Sequence, residues 1–164
     1  MLAFCRANGD LSAMPKKKTF SHLDSSGATR MVDIGAKPVQ RRTASAEGFI
    51  HCAAATIRRL RKQALPKGDV LTVAKIAAIQ AAKRCDELIP LCHSLPLDSA
   101  DVNFEVLANA IRVEATVRTT AKTGVEMEAL TAVAVATLTI YDMCKAIDKE
   151  MSIGEIRVTA KLKE

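Results

Sequence analysis

From Ala129 to Tyr141 the chain carries no charged residue and is interrupted only by Thr131, Thr137 and Thr139. No other stretch constrains the fold as much. The run falls short of the about 20 residues a membrane helix needs, and it is apolar all round, so it is expected to be a helix buried inside a soluble domain. The turn Lys122-Thr123-Gly124 precedes it, Glu126, Met127 and Glu128 open it, and Asp142, Cys144 and Lys145 lie near its end. These limits predict a helix over about 125–147.

Such a helix needs other layers to cover it, and the remaining sequence supplies them. Ala44, Ala46, Gly48, Ile50 and Cys52 alternate with Thr43, Ser45, Glu47 and His51, which predicts a strand covered mainly on one face over 40–52. The period then changes. Ala53, Ile57, Leu60 and Ala64 recur at helical spacing until Pro66. Lys67-Gly68-Asp69 is a turn in which Asp69 can cap a second helix running to about Lys83 or Arg84, with Val70, Val73, Ala77 and Ala81 as its packed face. Pro90 and Pro96 bracket an irregular connection. Two alternating segments follow, Val102 to Val106 and Ile111 to Val117, joined by a tight turn at Asn109-Ala110. A last strand is predicted over 156–163. The order is strand, helix pair, two strands, helix, strand. An α+β fold, a ferredoxin-like antiparallel sheet with helices packed on one face, is the simplest architecture with that order.

The chain has 164 residues, 49% of them hydrophobic and 26% charged, which suits one domain. Residues 1–28 show no sustained period and are expected to be a flexible leader, with a single ferredoxin-like domain over 29–164; Met14, before Pro15 and three lysines, is a second possible start. The net charge of +6 is unevenly spread: residues 1–42 hold eight Lys/Arg against three Asp, and the rest hold sixteen against fifteen acids. A body so nearly neutral, with no Trp, one Tyr and four Phe, does not fit a nucleic-acid clamp or a base-stacking platform. The first residues contain no secretory apolar segment, because Cys5, Arg6 and Asp10 interrupt it. Five cysteines without a CxxC pair point to free thiols in a reducing cytoplasm. The Ala-rich helices and one-sided core would gain from burying more surface in an oligomer.

Several residues could carry chemistry. On the long helix, Asp142 lies about 40° from the azimuth of Glu128, so the two acids share a face, and Lys145, about 100° from Glu128, borders that face one turn after Asp142. Glu128 and Asp142 are nevertheless about 21 Å apart along the axis. If both ends serve one site, two such helices must meet antiparallel across a twofold axis. The bland alternative is a solvated face with an i,i+3 pair between Asp142 and Lys145. His93, between two prolines, could donate to a phosphate or move a proton, although a lone histidine is more often structural. Cys85, Cys92 and His93 have poor spacing for a tetrahedral metal, and no metal or cofactor is expected. Lys67 could meet a phosphate at the N-terminus of the second helix, and Arg41-Arg42 reads as an exposed strand entry.

Read in order, several segments closely resemble one family. They are Arg30-Met31-Val32-Asp33-Ile34-Gly35-Ala36-Lys37, Lys67-Gly68-Asp69-Val70, Leu88-Ile89-Pro90-Leu91-Cys92-His93, Lys122-Thr123-Gly124-Val125-Glu126-Met127-Glu128-Ala129-Leu130-Thr131-Ala132 and Leu138-Thr139-Ile140-Tyr141-Asp142-Met143-Cys144-Lys145-Ala146. The family is that of the cyclic pyranopterin monophosphate synthases, the molybdenum cofactor biosynthesis protein C family. The resemblance implies a ferredoxin-like fold, a hexamer built as a trimer of dimers, and active sites between subunits. It implies a lyase that converts the 3′,8-cyclised dihydro-GTP intermediate into cyclic pyranopterin monophosphate with loss of pyrophosphate. Matched by motif, Asp142, Lys145 and Lys67 are the catalytic residues, while Leu91, Cys92, His93, Met127, Glu128 and Arg42 contact substrate. Ser94 stands where the family usually has Pro, Lys75 where it has Arg, and Cys85 where it often has Thr. Two other readings are a silent relative that only binds a nucleotide or partner, which the intact Lys67, Asp142 and Lys145 oppose, and RNA binding through the basic leader.

Overall fold

The alternation of small apolar residues at 40–52 produces strand β1 (Gln40–His51), which buries Ala44, Ala46, Gly48 and Ile50 on one face. The computed structural model describes residues 26–62 and 68–164, and Asp33–Glu164 form one compact unit. After β1 come α1 (Ala54–Arg61), α2 (Val70–Lys83), α3 (Cys85–Leu88), β2 (Ser99–Val106), β3 (Ala110–Ala121), α4 (Glu126–Cys144) and β4 (Ser152–Lys163). All strand pairs are antiparallel, in the order β2-β3-β1-β4. This is the ferredoxin-like α+β arrangement, with the first and third strands at the centre of the sheet. The expected leader, with Met14 and the lysine run, lies outside the described residues apart from 26–28.

α4 lies against β1 and β3 on one side and α2 on another. By length and composition it could cross a membrane, but Ala129, Ala132, Val133, Ala136 and Ile140 are fully covered at the centre of the core. Close approach explains the small residues. A Cβ on Gly48 would stand 2.7 Å from Cγ1 of Val133 and 2.9 Å from Cγ1 of Ile156. Gly48→Ala is therefore expected to overpack the β1–α4 contact and lower stability by about 1–3 kcal/mol. Gly154→Ala, where a Cβ meets nothing within 4 Å, should stay within about 0.5 kcal/mol of wild type. Urea unfolding of the two variants checks both values.

Four details differ from the expectations. The buried face of α2 is Val70, Ala74, Ala78, Ala81 and Ala82, while Val73 is 43% exposed and Ala77 only half-buried. The physical reason is the alanine ridge at i, i+4, which lets α2 approach α4 and turns the bulkier Val73 and Ile76 outward. α4 ends at Cys144 rather than near 147, its last turn closing through Lys145 N–H to the Tyr141 carbonyl at 2.9 Å. β4 begins at Ser152 because Ile153 already pairs with Ile50. The short α3 within the irregular connection has no signal in the periodicity. Asp69 does cap α2, accepting Thr72 N–H at 3.1 Å, and Gly68 before it has φ +82°.

The sheet face away from the helices carries a buried acid. Glu47 is 6% exposed and accepts Arg112 Nε at 2.8 Å on one carboxylate oxygen and Arg157 Nε at 2.9 Å on the other. Hydrogen bonds from Arg157 and Arg112 hold its carboxyl below the usual range. Three strands are thus tied through one side chain.

Candidate active site

Two clusters of the expected residues form at opposite ends of α4. At its start, Glu128 is 4% exposed, whereas Met127, one position earlier, turns outward at 38%. Burial pushes the Glu128 carboxyl up to about 7, against a lowering bond from its own backbone N–H, and the charges of Glu126 and Asp86 raise it further. A carboxyl so placed both gives and takes protons near neutral pH. Linkage gives a sign: the native state holds a proton that the unfolded chain loses near 4.5, so stability falls as pH rises through the interval from there to about 7. Glu128→Gln is expected to abolish that fall, seen by comparing melting temperatures of variant and wild type from about pH 5 to about pH 8.

Two thiols stand near enough to Glu128 for its charge to act on them. α3 and the following turn, closed by Ile89 N–H to Cys85 O at 2.9 Å and Cys92 N–H to Ile89 O at 3.0 Å, bring Cys92 within hydrogen-bonding reach of Cys85. The Cys85 thiol also meets the Thr131 hydroxyl at 3.5 Å, and burial pushes it up to about 12. Burial likewise raises Cys92. Both stay protonated and uncharged at neutral pH. Leu91 and His93 flank Cys92 and are half-buried.

Beside this cluster, Glu126 pairs with Lys161 on β4. Burial alone would raise the Glu126 carboxyl, but the Lys161 bond and the charges of Lys161 and Arg42 outweigh it and lower it. Arg42 donates from Nε to the Ala121 carbonyl at 3.2 Å and from Nη2 to the Lys122 carbonyl at 3.2 Å, so its guanidinium is fixed at the turn entering α4. Arg42 and Lys161 thus offset the charge of Glu126, while the charges acting on Glu128 are those of Glu126 and Asp86. No local pattern points to Lys161, a lysine in an alternating strand, which reaches Glu126 through the register that pairs it with Ala44.

At the other end, Lys145 Nζ stands 2.7 Å from Asp142 Oδ1, with both side chains more than half exposed at 56% and 57%. The hydrogen bond to Asp142, then its charge, raise the Lys145 ammonium above its ordinary value. This is the i,i+3 pair that the spacing allowed. Fourteen helical residues still separate it from Glu128, about 21 Å. Lys67 lies outside the described residues. Among the described residues no group of three or more His, Cys, Asp or Glu side chains is placed to hold a metal ion.

A family model described as the MoaC family matches residues 31–163. The chain belongs to the MoaC family. Among MoaC relatives, a protein of Chloroflexus aggregans named cyclic pyranopterin monophosphate synthase is 57% identical over 143 residues, 86% of this chain and 87% of that protein. One of Roseiflexus sp. with the same name is 57% identical over 143 residues, covering 86% and 90%. A third, of Oleidesulfovibrio alaskensis, is 56% identical over 144 residues, covering 87% and 91%. Every candidate site residue named above falls within the MoaC match.

Proposed function

We propose that this chain is a cyclic pyranopterin monophosphate synthase, a lyase of molybdenum cofactor biosynthesis that takes the 3′,8-cyclised dihydro-GTP intermediate and releases pyrophosphate. The observation that carries the reading is the intact chemistry at both ends of α4 in a chain 57% identical to a protein of that name. Opening and reclosing the guanine-derived ring requires proton transfers at several nitrogens and oxygens. Lys145 and Asp142 supply a donor and an acceptor 2.7 Å apart. Glu128, buried and able to exchange a proton near neutrality, supplies another. Closing a ribose hydroxyl onto the phosphate while pyrophosphate departs gathers charge on phosphate oxygens, which Lys67, Arg42 and His93 stabilise. Leu91, Cys92 and Met127 line the remaining contact with substrate.

The enzyme works as an oligomer, a hexamer built as a trimer of dimers, with each site shared between copies in the cytoplasm. Two features support this. One helix holds the two clusters about 21 Å apart, too far for one small substrate. Leu138 on α4 and Ile156 and Val158 on the edge strand β4 are also 57%, 38% and 38% exposed, an apolar surface that a second copy would cover. The deciding experiment supplies purified protein with the cyclised dihydro-GTP and follows pyrophosphate and the cyclic monophosphate. Release of both is expected, and a folded oligomer that turns over none of the substrate refutes the reading.

A further inference from the structure

Asp148 lies three residues beyond Lys145, in the turn that leaves α4, and is 6% exposed. None of the chemistry above uses it. Its Oδ2 accepts the Ala53 N–H at 2.7 Å and the Thr56 hydroxyl at 2.8 Å, and its Oδ1 accepts the Glu150 N–H at 3.3 Å. Ala53 is the N-cap of α1 and has no side chain that can cap it. A carboxylate from 95 residues away therefore performs the capping task, at the helix end where the backbone dipole favours negative charge. Ile147, next to it, lines a shallow cleft with Ala55, Thr56 and Arg59 of the same helix.

The clamp acts on α4 as well. Beyond Cys144 the chain turns, with Ile147 N–H and Asp148 N–H both donating to the Cys144 carbonyl at 2.9 and 3.1 Å. A helix end of this kind frays first unless another element holds it. Asp142 and Lys145 sit on that last turn with their side chains mostly in solvent, so side-chain packing does little to place them and the backbone must. α1 is a firm anchor: Ile57 is 1% exposed in the core, and Cys52, just before the helix, donates its N–H to the Asn109 carbonyl of the β2–β3 turn at 2.9 Å.

We propose that Asp148 is the positioning residue of the Asp142–Lys145 pair, clamping the last turn of α4 to the first turn of α1 and so fixing where the two charged groups stand. The inference rests on the reading that this pair transfers protons, and its test includes a measurement that does not. Two variants keep the fold accessible. Asp148→Asn keeps an acceptor oxygen for α1 but removes the charge, and Thr56→Val removes one bond while keeping the carboxylate. For each, kcat, KM, oligomer mass and melting temperature are measured, together with the acylation rate of Lys145 relative to Lys83 on α2 by peptide-mapped mass spectrometry.

The expected result is a kcat lower by about tenfold with KM within about twofold of wild type, because misplaced reacting groups lose rate rather than ground-state binding. The Lys145 amine, less held by Asp142, should acylate about threefold faster against Lys83. A lower melting temperature with wild-type kcat and a wild-type Lys145 rate would make Asp148 a fold staple alone and overturn the proposal. If wild type itself shows no turnover, the proposed function fails, and the acylation ratio still decides whether Asp148 positions the lysine.

Discussion

Lys145→Ala is expected to lower pyrophosphate release by about 10³-fold or more while leaving the oligomer and its melting temperature almost unchanged. The two halves of this expectation have different causes. Lys145 pairs with Asp142 in solvent, both side chains more than half exposed, and exposed pairs add little to stability. In its proposed role of proton donor, held at 2.7 Å from Asp142, the same lysine has no substitute on that turn. Asp142→Asn should behave alike, since it removes the acceptor and lets the ammonium, now raised by that bond, fall toward its ordinary value. Steady-state rates with the cyclised intermediate, alongside thermal melts, separate the effects. A variant that keeps most of its rate, or one that loses rate only because it unfolds, contradicts the assignment.

A second large effect follows from the distance along α4. Glu128→Gln and Lys145→Ala should each be inactive alone, yet regain activity when dissociated, mixed and reassembled. If a site takes Glu128 from one copy and Lys145 from the next, random exchange makes half of the dimers mixed, and each mixed dimer carries one intact site of two. Activity should then return to about a quarter of wild type. No recovery in verified mixed oligomers would mean that both ends do not serve one shared site. The experiment needs no knowledge of the proton inventory, because it reads only which chain supplies which group.

Much of the fold was legible because its signals are local. The alternation in β1 and β3, the cap at Asp69 and the uncharged run of α4 each declare themselves within a few residues. The face of α2 did not, since Val73 and Ala74 have almost equal claims until the close packing of the alanine ridge of α2 against α4 is known. The site was legible in the same uneven way. Asp142 and Lys145 meet because an i,i+3 spacing on a helix brings them together. Glu47, Lys161 and Asp148 reach their partners through strand register or across the chain, at separations such as the 110 residues between Glu47 and Arg157, and no local pattern encodes that. The spacing of Glu128 puts it on the face of Asp142, but its burial, beside Asp86 and Cys85 of α3, has no signal in the periodicity.

The unbroken run of α4 from Glu126 to Cys144 also works as a ruler. Its two ends are separated by a fixed number of helical steps, each advancing about 1.5 Å and turning about 100°. Exchanging one residue for another in the middle, at Ala132 or Ala136, disturbs packing only. Inserting or deleting a single residue there would swing Asp142 and Lys145 to another side of the helix and slide them along its axis. The length of this segment therefore carries information that its composition does not.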